Sequence, residues 1–266
     1  MEYISSHNGI TTAVPSGRVN VLGVGISAIS MDDAVRMSDG LIASNGKGYV
    51  CVTGVHGVTE AQNDPEFRKI LNESFLTTPD GMPMVWIGKL RGFSNMTRVY
   101  GPDFMVELCR AGAERGYTHF LYGGKDGVVD HLRRALEEKI PGVRIVGAYT
   151  PPFRALTQDE ENTLLQMVSR IRPDIFWIGL STPKQERFMA RYWDKLDTKM
   201  MVGVGAAFDL HTGNMKDAPD WMKQAGLQWL HRLCQEPKRL WKRYLINNPI
   251  FVYRMCLQLL GIRAYE

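Results

Sequence analysis

The 266-residue chain has only four cysteines, Cys51, Cys109, Cys234 and Cys256, and no two of them form a CxxC pair. Neither a disulfide framework nor a cysteine-zinc site follows from such spacing. Each lies in an apolar or helical context, which predicts buried, reduced thiols and a cytosolic setting. No stretch approaches the ~18 uninterrupted apolar residues of a membrane span. The start, MEYISSHNGITTAVPSGRVNVLGVGIS, lacks the basic opening and apolar run of a secretory signal. The expectation is a protein that is neither exported nor membrane-spanning. Strong charge is missing as well: a formal excess of +4 is too mild for a nucleic-acid partner. His56, His131, His211 and His231 are scattered, without an HxxxH pair or a His-carboxylate cluster, so no metal constellation is expected. There is no DxD-like pair at a strand end, no GxGxxG fingerprint and no Walker A loop. Any cation for an anionic ligand must then come from the chain's own side chains.

Hydrophobic residues make up 44% of the chain and charged ones 23%, an ordinary globular balance at a length able to bury a large core. Residues 1–17 are polar and carry Gly and Pro, which predicts a loose arm. RVNVLGVGIS reads as a strand, followed by a helix in SMDDAVRMSDGLIAS with Ser30 as N-cap and Asp32 and Asp33 in its first turn. GYVCVTGVHG is a second β-rich run, VTEAQNDPEFRKILNES a helix, FLTTPDGMP a short strand and MPMVWIGKLRG another helix. The pattern then repeats: a helix in VYGPDFMVELCRAGAERG, strands at HFLY, RIVGAY, IFWIGL and KMMVGVGAAFDL, and helices between them. Strands alternating with helices of 10 to 15 residues predict an α/β fold with a Rossmann-like parallel sheet flanked by helices, over residues 18–212.

Ligands of parallel sheets gather at the carboxyl ends of strands, and several polar motifs fall there. Pro79-Asp80-Gly81 is by default a turn, because Pro sets φ, Asp bonds nearby backbone and Gly takes a left-handed conformation; the functional alternative is a carboxylate presented at a strand end. Thr53 and His56 follow the second β run. In YGGKDG, Gly123 and Gly124 allow backbone amides to approach a phosphate or ribose, although a plain strand-to-helix turn fits equally. LSTPKQERF places Gln185 at a helix start, where both ends of its amide can bind a sugar or base edge or simply meet solvent. Asp209, in AAFDLHTG, either orders a substrate hydroxyl or caps local backbone.

After Gly213 no convincing β run remains, and residues 213–266 read as a helical, aromatic, basic appendage. From Gly226 onward there are seven basic residues against two acidic ones, more than the whole formal excess. In WLHRLCQEPKRLWKRYL, Arg232 and Arg239 lie two helical turns apart, and Arg239, Lys242 and Arg243 form an i, i+3, i+4 set interleaved with Trp229, Trp241 and Tyr244. Such a segment can lie on an anionic bilayer, fold over a site to neutralise a diphosphate, or be an ordinary amphipathic helix.

Taken in order, TGVHGVTEAQNDPEFRKILNESFLTTPDGMPMVW, RVYGPDFM, FLYGGKDGVVDHL, WIGLSTPKQERFMA and GVGAAFDLHTGNMKDAPDWMKQAGLQWLHRLCQEPKRLWKRYLINNP resemble the WecG/TagA/CpsF family of bacterial glycosyltransferases, from about residue 20 to 250. The resemblance implies an inverting, metal-independent enzyme without a cofactor. It would move glucose, N-acetylmannosamine or the latter's uronic acid from a UDP-sugar donor to a polyprenyl-diphosphate-linked saccharide, at the cytoplasmic face of the membrane. The appendage would dock on that membrane surface and complete the active site. By the same resemblance Asp80 is the general base, and Arg98, Gln185, Arg232 and Arg239 contact substrate. One block departs: the family's Thr-Pro-Asn step is absent, since Gly54 follows Thr53. Counting back from the Pro-Asp-Gly block puts the family threonine at Val52, and leaves His56 to supply a polar group. A nucleotide-dependent oxidoreductase and a non-catalytic scaffold for polysaccharide assembly are the rival readings. The donor sugar, the acceptor linkage and the oligomeric state, a homo-oligomer included, are left open.

Overall fold

A computed structural model describes residues 17–265; the arm expected over residues 1–17 lies, apart from Gly17, outside the described residues. RVNVLGVGIS does not run as one strand. Leu22 (φ 53°) and Gly23 (φ 81°) reverse the chain and split it into an antiparallel hairpin, β1 (Arg18–Val21) and β2 (Val24–Ser27). Two successive left-handed residues suit the twist of a tight hairpin, but a leucine at the first of them hides the turn from sequence. Helix α1 (Met31–Ala43) starts as expected at Ser30, whose hydroxyl accepts the Asp33 N–H at 3.1 Å while Asp33 accepts the Ser30 N–H, also at 3.1 Å.

Strand β3 (Gly48–Thr53) leads into α2 (Val55–Glu60) and α3 (Pro65–Glu73). The single helix expected there breaks because Asp64 caps a new one, accepting the Phe67 N–H at 2.9 Å, with Pro65 in its first turn. Next come β4 (Leu76–Pro79), α4 (Met82–Leu90), α5 (Gly101–Arg115), β5 (Thr118–Gly123), α6 (Val128–Lys139), β6 (Arg144–Tyr149), α7 (Gln158–Ile171), β7 (Ile175–Gly179), α8 (Lys184–Tyr192) and β8 (Met200–Gly203). The last strand is shorter than KMMVGVGAAFDL suggested. Gly205, at φ 53°, turns the chain into α9 (Ala207–His211), so Asp209 sits on a short helix.

Six strands form one parallel sheet in the order β4-β3-β8-β7-β5-β6. Their near-continuous apolar runs fit a sheet covered on both faces. Phe120, Phe176, Ile178 and Met201 face one buried cluster, while Val50, Leu121, Trp177 and Val202 face the other. The hairpin shields the β4 edge, where the Thr77 N–H donates to the Ser27 hydroxyl at 3.1 Å. From β3 the chain winds out to β4, crosses to β5 and β6, then works back through β7 to β8. Strands β3 and β8 are therefore neighbours reached from opposite directions, and the strand ends around them open into one cleft.

The C-terminal segment forms α10 (Asp220–Gln224), α11 (Gln228–Gln235), α12 (Pro237–Leu245) and α13 (Asn247–Leu259). Its far end returns to the sheet domain. Phe251 and Met255 are each 4% exposed and belong to the same cluster as Val58 and Phe67. Gln258 accepts the Leu22 N–H at 3.0 Å and donates to Asn20 Oδ1 at 3.1 Å. Helices α10–α12 thus form a strap anchored at both ends. Among the described residues no helix is long and apolar enough to cross a membrane.

Candidate active site

Between the strand ends and the strap lies a cavity of about 1680 Å³. Typical small-ligand pockets measure ~300–1,000 Å³, so there is room for two substrates side by side. Of the residues singled out from the sequence, Asp80, Thr53, His56, Arg98, Gly124, Gln185, Asp209, Arg232 and Arg239 line it, and Gly123 does not.

Asp80 follows β4, and two contacts fix its position. Its N–H donates to the Thr53 carbonyl at 3.0 Å, and Gly81 beyond it takes φ 109° to open α4. A side chain at Gly54 would place its Cβ 2.5 Å from the Asp80 carbonyl oxygen. The departure from the family pattern at Gly54 therefore coincides with a place where two backbones meet too closely for a Cβ. About a third of the Asp80 side chain stays open to the cavity, at 34% exposure. Burial raises its pKa above the ordinary carboxylate value, against the opposing pull of Arg98, Arg232 and Arg243. The nearest of these, Arg98, stands 3.9 Å from Asp80 Oδ1, beyond hydrogen-bond reach.

Arg98 is held on its other sides. Its guanidinium lies 4.1 Å over the Tyr100 ring and donates to Gln228 of the strap. The Tyr100 hydroxyl donates to Asp217 at 3.2 Å, and Asp217 also accepts from Gln228 at 3.0 Å, the Ala218 N–H at 2.8 Å and Lys223 at 2.7 Å. Burial disfavours the Asp217 charge, yet these donors outweigh it and hold the carboxyl below its usual range. The strap is thereby latched to the residue beside Asp80, through side chains in which sequence spacing showed no pattern.

The other predicted residues take distinct places. Thr53 is buried at the β3 end, where its hydroxyl reaches the Cys51 carbonyl at 3.4 Å. His56, at the start of α2, is pulled down to about 3 by burial and by Arg243, so it is neutral near pH 7. Gln185 accepts the Gly205 N–H at 3.0 Å and donates to Glu186 at 3.0 Å, which leaves one lone pair and one N–H for a ligand. Gly124 donates its N–H to the Gly179 carbonyl at 3.1 Å. Gly123 has φ 130°, and a Cβ there would lie 2.6 Å from the Gly179 oxygen. Gly123→Ala is therefore expected to lower stability by about 2–4 kcal/mol in urea unfolding. The Asp209 carboxylate has no side-chain hydrogen bond or ion pair among the described residues, and Asp209 lines the cavity, as do Lys125 and Gly124.

Two residues in the cavity wall carry chemistry that sequence reasoning missed. Arg243 is turned inward, with its Nε buried, while Arg239 is largely exposed and ion-paired with Glu236. The i, i+3, i+4 spacing could not say which member of that set faces inward. Glu186, 1% exposed, accepts from Thr182 at 2.8 Å and from Gln185 with Oε1, and burial raises its pKa. It is the unseen support of Gln185, hidden in a helical start that reads as solvated.

Buried polar groups in folded proteins almost always find partners. Among the described residues ten side chains carry a buried polar atom without one, and five of these line this single cavity: His56 Nδ1, Arg98 Nε, Glu186 Oε2, Arg232 Nε and Arg243 Nε. The cluster describes a site prepared for a polar, mainly anionic ligand. No group of three His, Cys, Asp or Glu among the described residues is arranged to hold a metal ion.

Known proteins are similar to this chain in sequence. The glycosyl transferase WecG/TagA/CpsF family description matches residues 19–265. An N-acetylglucosaminyldiphosphoundecaprenol N-acetyl-beta-D-mannosaminyltransferase of Bacillus subtilis (strain 168) is 30% identical over 185 residues, covering 70% of each chain. The enzyme of the same name from Bacillus spizizenii (strain ATCC 23059 / NRRL B-14472 / W23) is 27% identical over 193 residues, covering 73% of this chain and 72% of its own. The matched span contains the whole sheet, Asp80 and the basic strap, and on these grounds the chain belongs to the WecG/TagA/CpsF family of glycosyltransferases.

Proposed function

We propose that this glycosyltransferase moves a hexose-type sugar from a UDP-sugar to a saccharide carried on a polyprenyl diphosphate, in one inverting displacement without a metal ion. The observation that carries the reading is the set of unpartnered arginine nitrogens facing Asp80 across one cavity. The named relatives act on a lipid diphosphate acceptor, and the cavity's size accommodates donor and acceptor together.

In this reaction an acceptor hydroxyl attacks the anomeric carbon while the bond to the UDP oxygen breaks. Asp80 takes the hydroxyl proton, and UDP leaves with the bonding electron pair. The raised pKa of Asp80 makes it a stronger base than an ordinary aspartate. Arg98 stands close enough to hold the carboxylate charged but too far to satisfy it. Arg232 and Arg243 face the charge that develops on the leaving diphosphate. Gly124, Lys125 and Asp209 form the wall suited to the nucleoside end, and neutral His56 and Gln185 offer hydrogen bonds to sugar hydroxyls.

Away from the cavity the strap carries exposed Trp241 and Leu245 beside Lys238. Aromatic and basic residues so arranged suit the interface of an anionic membrane, where the acceptor resides. One experiment tests both statements: UDP release from a panel of UDP-sugars with acceptor in anionic vesicles, followed by sedimentation. Release with one donor and co-sedimentation are expected. Absence of release with every donor would favour a non-catalytic scaffold, and protein left in the supernatant would remove membrane docking.

A further inference from the structure

The cavity changes character along its length. Around Asp80 it is lined by Arg98, Arg232 and Arg243, but along α13 its wall is Val252, Cys256 and Leu259. These three are spaced i, i+4, i+7 and so form one helical stripe. Val252 is 58% exposed and Leu259 39%, whereas Phe251 and Met255 on the adjoining face are buried in the core. Leu240 of α12 and Ile246 just beyond its end extend the same wall, and no acid or base interrupts the stripe itself.

We propose that this lane holds the first isoprene units of the lipid diphosphate acceptor, with its diphosphate at the cationic end of the cavity, beside the arginines that face the leaving UDP; the inference rests on the function proposed above. A UDP-sugar is polar from end to end and has no use for such a wall. A ligand with a diphosphate at one end and an isoprenoid chain at the other matches the order of cationic floor and apolar lane. The stripe belongs to a concave wall continuous with the arginine site, which favours a single enclosed chain over a bilayer surface as its occupant. Because Gln258 ties α13 to Leu22 and Asn20, the lane is preformed, and little ordering offsets the burial of the chain.

The test compares farnesyl diphosphate with inorganic diphosphate by calorimetric titration of the full chain and of a Val252→Ser, Leu259→Ser variant. Both positions are exposed, so the fold is expected to persist, and circular dichroism checks it. The wild type should bind farnesyl diphosphate at least about tenfold more tightly than inorganic diphosphate, the scale of a few buried methylenes. The variant should lose most of that preference and bind inorganic diphosphate unchanged. A preference kept in the variant, or equal weakening of both ligands, overturns the lane. Retained preference with lost vesicle sedimentation reassigns the stripe to the bilayer. Failure of inorganic diphosphate to bind the wild type removes the anion site itself, and with it the proposed function.

Discussion

Asp80→Asn is expected to lower kcat by about 10²–10⁴-fold, with the KM for the UDP-sugar little changed. Asparagine keeps the shape of the side chain at the end of β4 and removes only its basicity. The loss will not come from unfolding. Burial raises the folded-state pKa of Asp80, so the folded protein holds that proton more tightly than the unfolded chain does. Stability from this group is therefore greatest at low pH and falls as pH rises from the unfolded value through the raised folded one. A neutral Asn escapes that penalty and should leave the variant at least as stable at pH 7. The wild-type kcat should also fall on acidification, with its midpoint above the ordinary aspartate pKa. Near-normal transfer by the Asn variant, with UDP still bound, would falsify the assignment of Asp80 as base.

The second large effect is expected at Arg243. Arg243→Ala should reduce kcat by about 10²–10³-fold, as loss of one fixed donor to a developing oxyanion does, whereas Arg239→Ala should cost only a few-fold at most. Both arginines come from one helix, four residues apart in the same basic run, and sequence favoured Arg239. The side chain of Arg239 is 60% exposed and is already paired with Glu236, an arrangement that contributes little. Arg243 is withdrawn into the cavity with its Nε unpartnered and acts on Asp80 and His56. Single-turnover measurements on a soluble acceptor analogue separate this chemical role from membrane docking. Equal losses at both positions would show the strap moving as a unit, with no special place for Arg243.

Much of the sheet was legible because parallel strands buried on both faces leave unbroken apolar runs, as in HFLY and IFWIGL. The misreadings share a local cause. At Leu22 a residue unsuited to φ > 0 occupies a hairpin turn, and at Asp64 a new cap interrupts what looks like one amphipathic helix. In GVGAAFDL the apolar pattern continues although Gly205 has ended the strand. Composition conceals such breaks because the apolar or amphipathic pattern resumes directly after them.

The site divides in the same way. Pro79-Asp80-Gly81 announces a turn, and the turn is what presents the carboxylate; the ordered set of motifs marked Asp80, Arg98 and Gln185 for attention. What lies in reach of Asp80 depends on contacts spanning more than a hundred residues, such as Arg98 to Gln228 and Tyr100 to Asp217. Sequence by itself determined the α/β class, the strand-end location of the polar motifs and the basic character of the C-terminal segment, since these follow from local periodicity and composition. Only the tertiary structure decided that the segment is a strap anchored at both ends, that Arg243 and Glu186 turn inward, and that one cavity runs from a cationic floor to an apolar lane. Helical spacing sets which residues share a face, and only packing against the rest of the chain sets which way that face points.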